Sequence, residues 1–420
     1  MKTSFKKILL NFTSLSFLQL SNYIFPLVTF PYLVRVLGPE KYGLVNFAAA
    51  FVAYFGIITD YGFNLSATKD ISVNRENFNK ISEIFSSVLI IKFTLFVICA
   101  SVFGILVYCI PFFRLHWDIY AISFLTILGQ VFFPLWYFQG IEEMKYISIV
   151  NIIPKAVVVV LIFLLIKGAD DYLVLVILNS FGVLFTGILS LLIVKQKYRI
   201  KFFAPKFSCL VYQLKDGWHL FIFSISTSLY TVSNTFILGL FAGNTVVGYF
   251  AAADKIRLAL MNIISTISQT VYPYLNRIFD SSISDGLAKI KKLLSFVGIL
   301  SFSLSLILFV FAEEIILIVL GNKYLASIDI LRIISWLIFL IGLSNVLGIQ
   351  TMLNLNFKRA FTGIIIIASL FSLVLSFILV PIYFEIGTAV TVLTTEFLVT
   401  IGIIIFLYGK REYLKRITNV

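Results

Sequence analysis

Apolar runs of about 20 residues follow one another along the whole chain, separated by short polar stretches. A helical run of that length matches the ~30 Å hydrocarbon thickness of a bilayer. The runs are continuous, whereas a membrane β-barrel would show alternating segments of about ten residues. The pattern predicts an all-α polytopic membrane protein with twelve spans. They fall at residues 9–36, 43–65, 83–110, 119–138, 147–166, 172–194, 217–240, 247–275, 293–312, 330–353, 361–382 and 387–408. Of the 420 residues 60% are hydrophobic and 13% charged, too few polar groups to cover a water-facing surface. A soluble enzyme, a nucleic-acid-binding domain and a disordered scaffold are thereby excluded. The first run follows Lys2, Lys6 and Lys7 but is too long for a signal-peptide core and has no clear cleavage site. It reads as an uncleaved first helix.

The net charge of +13 is distributed, not clustered. With the N-terminus in the cytoplasm, 23 of the 33 Lys and Arg fall in inner segments and 5 in outer ones. Basic residues collect on the cytoplasmic side, so this asymmetry predicts both termini inside. Cys99, Cys109 and Cys209 form no paired spacing, and His116 and His219 stand apart. Neither a disulfide framework nor a metal site is expected. No outer loop is long enough for glycan chemistry, and Glu313 and Glu314 read as an interfacial helix end. A membrane glycan polymerase or ligase is therefore a weaker reading than a transporter that is not an enzyme. A channel is weaker still, without a pore-like glycine loop or charge ring.

The longest connection, the basic stretch at about 195–216, divides the chain into a six-span lobe at 1–200 and another at 217–420. An internal repeat supports the division. Gly38 and Gly43 recur 205 residues later as Gly243 and Gly248, each pair leading into a Phe-Ala-Ala-Ala run at Phe47 and Phe250. Six spans is an even number, so the lobes are expected to be parallel repeats with a substrate path between them. Pro26 and Pro31 in the first span and Pro154 in the fifth remove backbone donors inside helices. All three are candidate hinges, with a simple kink as the alternative.

Ionisable residues inside spans are expensive and therefore functional candidates. Lys92, Lys155, Asp254, Lys255, Arg257, Arg332 and Glu396 fall there, five basic and two acidic. A cavity shared by them would be net positive and suited to a phosphate. Arg332 and Lys92 could instead snorkel to the headgroups. Asp254 and Arg257 share a helix face, and Lys255 points about 200° away from Arg257. The expected substrate-binding set is Lys155, Arg257, Lys255 and Lys92, with Lys155 and Arg257 foremost. Glu396 either pairs with one of these bases or serves as a proton- or cation-coupling carboxylate.

Several runs resemble a known family. Leu37-Gly-Pro-Glu-Lys-Tyr-Gly43, Asp60-Tyr-Gly-Phe-Asn-Leu-Ser-Ala-Thr-Lys-Asp-Ile71 and Pro134-Leu-Trp-Tyr-Phe-Gln-Gly-Ile-Glu-Glu-Met-Lys145 resemble the Wzx-type O-antigen flippases of the polysaccharide transporter family. So do Gly248-Tyr-Phe-Ala-Ala-Ala-Asp-Lys-Ile256 and Gln269-Thr-Val-Tyr-Pro273. The resemblance implies a member of the multidrug/oligosaccharidyl-lipid/polysaccharide exporter superfamily, with two six-helix lobes around a cationic cavity. It implies flipping of undecaprenyl-pyrophosphate-linked repeat units, O-antigen or a related surface polysaccharide, across the bacterial inner membrane, from cytoplasmic to periplasmic leaflet. No cofactor is implied beyond proton or sodium coupling. The partners implied are membrane lipids, a polysaccharide polymerase and a chain-length regulator, and no nucleic acid. Asp60 is expected to cap or to pair with Lys69 or another loop base. Tyr54, Trp136 and Tyr137 could stack on sugars or anchor at the membrane interface. An ion-coupled drug exporter of the same superfamily is the alternative, disfavoured by the basic balance.

Overall fold

The computed structural model describes residues 2–410, and no strand occurs among them. Arg411, Lys415 and Arg416, part of the charge count that orients the chain, lie outside the described residues, as do the side chains of Lys2, Lys6 and Lys7. The helices are α1 (Lys2–Asp60), α2 (Phe63–Val73), α3 (Phe78–Cys109), α4 (Pro111–Arg114), α5 (Trp117–Phe132), α6 (Leu135–Gly140), α7 (Met144–Leu165) and α8 (Tyr172–Lys197). They continue with α9 (Phe207–Thr231), α10 (Ser233–Ala242), α11 (Asn244–Ser281), α12 (Ile283–Val310), α13 (Ala312–Val319), α14 (Ser327–Ser344) and α15 (Lys358–Gly409). A π-helical stretch, Asn345–Met352, extends α14.

Among the described residues eight helical stretches are long and apolar enough to cross a membrane, or nine if the bent α9–α10 pair counts as one span. The chain is a multi-pass membrane protein. Two of these stretches, of 57 and 52 residues, would be about 86 and 78 Å long if straight, more than twice the hydrocarbon thickness. The first, Phe17–Val73, is broken at Gly38 (φ 70°) within α1 and again at Tyr61 and Gly62 before α2, and the second is broken at Phe384 (φ 46°) within α15. Pro26, Pro31 and Pro154 all sit within continuous helical backbone, so the break in α1 falls at the glycine.

Contacts divide the chain into two units. The first holds residues 1–37 and 47–228, the second 38–46 and 229–420. This division comes later than the basic stretch at 195–216, because the start of α9 is tied to the first unit. Gln213 Nε2 donates to Asp70 Oδ2 at 3.0 Å, and the Cys209 thiol donates to Glu83. Phe221 stacks on Tyr61 with ring centroids 4.6 Å apart. The first unit has an aromatic core on α1, α3, α4 and α5, where Phe51 stacks on Phe113 at 4.5 Å and Phe103 on Phe124 at 4.4 Å. The second unit is held by small and hydroxylated residues. Ser301, Ser305 and Ser335 are buried at the α12–α14 contact, where Ser305 Oγ donates to the Ser335 carbonyl at 2.8 Å. Hydrocarbon gives helices no hydrophobic reason to associate, so such close packing and interhelical bonds must hold them.

Inside the second unit the two glycine turns meet. Gly38 and Gly243 share one conformation, φ/ψ of 70°/172° and 82°/175°, which a side chain on Cα disfavours. A Cβ on Gly43 would lie 1.8 Å from the Asn244 carbonyl oxygen, and one on Gly248 would lie 2.0 Å from that of Pro39. Positions 39 and 244 are themselves 205 residues apart, so the contact is reciprocal and bears out the repeat read from sequence.

Candidate functional site

In the first unit Lys92 is 3% exposed and binds Asp60 Oδ1 through Nζ at 3.2 Å. The same carboxylate accepts two bonds from Asn64 Nδ2, both at 3.0 Å, and Lys92 Nζ reaches the Gln130 carbonyl at 3.5 Å. Asp60 therefore pairs with a base inside a span, not with Lys69. Lys92, expected to meet substrate, is instead neutralised and enclosed. Lys155 behaves differently. It is exposed, and its Nζ donates to the neutral amide oxygen of Asn22 at 2.7 Å, which orients the ammonium without cancelling its charge.

In the second unit the expected order of Arg257 and Lys255 is reversed. Arg257 is 8% exposed, and its Nε is held by Asp254 Oδ1 at 2.7 Å. Glu396 is buried as well, accepts a 2.6 Å bond from Ser344 Oγ, and lies within electrostatic reach of Arg257. Arg257 is thus paired on its own helix, and Glu396 is bonded to Ser344, with no base at ion-pair distance among the described residues. Lys255, two residues from Arg257 and on the other side of α11, is exposed, with no carboxylate at ion-pair distance among the described residues.

Lys255 opens a feature that sequence analysis missed. On α11 the residues at successive steps of four or three positions are Lys255, Ala259, Asn262, Thr266, Gln269, Pro273 and Arg277. These steps return to one side of a helix. All seven are exposed except Asn262, which is half-buried, and Thr270 beside them is exposed too. From Lys255 to Arg277 the stripe runs about 33 Å at 1.5 Å per residue, roughly the full hydrocarbon thickness. Past its charged start, which exposes Asp285, Lys289, Lys291 and Lys292, α12 exposes mainly large apolar side chains, among them Phe296, Ile299, Phe302, Leu306 and Ile307, a face suited to acyl chains. Unpaired amides against acyl chains would each cost several kcal/mol, so the α11 stripe faces water or a polar ligand. The periodicity of Asn262, Thr266 and Gln269 was the signal in the sequence that would have found it.

Trp136 and Tyr137 are 1% exposed and pack against Phe85 in the core of the first unit, so they neither stack on a ligand nor anchor at the interface. Arg332 is exposed and bridges Asp329 at 3.4 Å, as a helix-end residue does. Glu313 and Glu314 are exposed in the first turn of α13, where carboxylates favour the helix N-terminus.

Comparison with known proteins now defines the class. Residues 8–279 match the family described as "Polysaccharide biosynthesis protein", and the chain belongs to it. A protein of Escherichia coli (strain K12) named "Putative O-antigen transporter" is 36% identical over 401 residues, 96% of this chain and 97% of that protein. One of the same name from Shigella dysenteriae is 29% identical over 383 residues, 91% of this chain and 95% of the relative. Together they bear out the Wzx-type resemblance. The fold is shared with the lipid II flippase MurJ in an inward closed conformation (TM-score 0.72, 14% identity, 95% of this chain and 87% of that one). It is shared equally with an inward-facing multidrug resistance MATE family transporter of the MOP superfamily (TM-score 0.72, 14% identity, 94% and 96% covered).

Proposed function

We propose that this protein flips undecaprenyl-pyrophosphate-linked oligosaccharide repeat units, of O-antigen or a related surface polysaccharide, from the cytoplasmic to the periplasmic leaflet of the bacterial inner membrane. The observation that carries the reading is the exposed polar stripe along α11 in a chain of this family. A diphosphate and several sugars cannot cross ~30 Å of hydrocarbon, because each polar group would lose its hydration. The polyprenyl tail has no such difficulty and stays in the bilayer while the head group travels along a wet surface.

In this reading twelve spans with both termini inside form two six-helix lobes, which alternate access from one side of the membrane to the other. Lys155 in the first unit and Lys255 in the second, each exposed and without a paired carboxylate among the described residues, are the anion-binding groups of their own units. Lys92 keeps its partner and ties α3 to α1, while Arg257 keeps its partner one turn away on α11. Glu396, bonded to Ser344, is the group to which a proton or sodium ion would couple. Products would pass to a polysaccharide polymerase and a chain-length regulator.

The test is complementation of a strain lacking the gene. Lys155→Ala with Lys255→Ala should cut surface polysaccharide at least tenfold and trap lipid-linked repeat units on the cytosolic face. Wild-type levels in that double variant would remove the anion-holding role.

A further inference from the structure

The α11 stripe is not uniform. Its two ends are basic, Lys255 and Arg277, and the ~30 Å separating them carries only neutral groups, chiefly Asn262, Thr266 and Gln269. We propose that α11 divides the substrate by chemistry. The neutral middle reads the hydroxyl groups of an uncharged glycan, and the two basic ends of the stripe hold the diphosphate. This rests on the flippase reading and assigns its substrate contacts.

The side chains fit the division. A sugar hydroxyl both donates and accepts, and an amide offers one group of each kind. Neither the Asn262 nor the Gln269 amide has a hydrogen-bond partner among the described residues. Thr266 Oγ1 donates to the Asn262 carbonyl and Thr270 Oγ1 to the Thr266 carbonyl, both at 2.8 Å. The Thr270 hydrogen is thus committed, and a lone pair on its oxygen is left for a sugar O–H. Successive stripe positions rise about 5 Å, comparable to one sugar ring. Neutral bonds are about half as strong as those to charged groups. A ligand that must move along the helix needs several weak sites, with stronger ones where it loads and leaves. A cation at mid-stripe would trap the diphosphate there, and none is present on that face among the described residues.

The experiment uses the full-length protein in lipid nanodiscs and two probes. One is the neutral oligosaccharide repeat unit released by mild acid from the host's surface polysaccharide. The other is inorganic pyrophosphate. Asn262→Leu with Gln269→Leu should weaken oligosaccharide binding at least tenfold, and at least fivefold more than pyrophosphate binding. Lys255→Ala with Arg277→Ala should show the opposite ratio. Ile263→Ala, on the apolar flank, serves as the folding and affinity control, and Gln269→Asn should recover part of the loss. Equal losses for both probes in both double variants, or undiminished oligosaccharide binding in the leucine variant, would overturn the division. A protein that binds the oligosaccharide through the stripe but flips no lipid-linked form would sink the flippase reading and leave the division standing.

Discussion

The helical segments that follow Gly43 and Gly248 begin alike and end differently. Each starts from a glycine turn of the same conformation and enters through three alanines. The second continues as α11 without interruption to Ser281 and carries its polar groups on an exposed face. The first stops at Asp60, where Tyr61 and Gly62 take positive φ of 50° and 80°, and restarts as α2. Its charge is turned inward, with Asp60 bound to a lysine that is 3% exposed. Offset by 205 residues, Gln269 on the stripe corresponds to Asn64, whose amide serves Asp60. One copy of a repeated element has thus become a structural clamp and the other a wet face. A repeat conserves the backbone device that positions a helix and leaves each copy's polar groups to be spent on packing or on ligand.

The largest effect should come where the copies are the same. Gly43→Ala and Gly248→Ala place a methyl group about 2 Å from a facing carbonyl oxygen. Each should reduce folded protein, measured by size exclusion in detergent, by tenfold or more. Tolerance at one position alone would break the reciprocity. Next comes the clamp. Asp60→Asn leaves Lys92 enclosed with its countercharge gone and should cost about 2–4 kcal/mol, less than the ~3–5 of a fully buried pair because Asp60 is 37% exposed. A lowered melting temperature that Lys92→Met restores is the expected readout, and Asp254→Asn in the second unit should lower it less, since Glu396 also lies near Arg257.

A smaller effect separates the corresponding amides. Asn64→Leu should lower stability by about 1 kcal/mol through its lost bonds to a carboxylate that water also reaches. Gln269→Leu should reduce surface polysaccharide several-fold with no change in melting temperature. Both variants lowering stability alike would erase the contrast. Smallest of all, Arg332→Ala should change stability by less than about 0.5 kcal/mol, because its pair with Asp329 is exposed.

Much of the architecture was legible because hydrophobic length and glycine spacing are local. Residues 83–110 and 147–166 correspond closely to α3 and α7, and the offset of Gly38 and Gly243 foretold a shared turn. The site was legible only in part. Arg257 and Lys255 could be placed on opposite sides of a helix by arithmetic, but which side was covered depended on the helices around them. Lys92 looked free until Asp60, 32 positions earlier, was seen beside it. Trp136 looked like an interfacial anchor and is core, because α3 covers it.

The amino-acid order alone determined that the chain lives in a membrane, that it is helical, and that it contains a repeat, since each follows from composition and periodicity along one strand of sequence. Tertiary structure decided which charges are spent inside the units and which stay exposed. That choice depends on what packs against each helix face, and a face is covered by residues far away in the sequence.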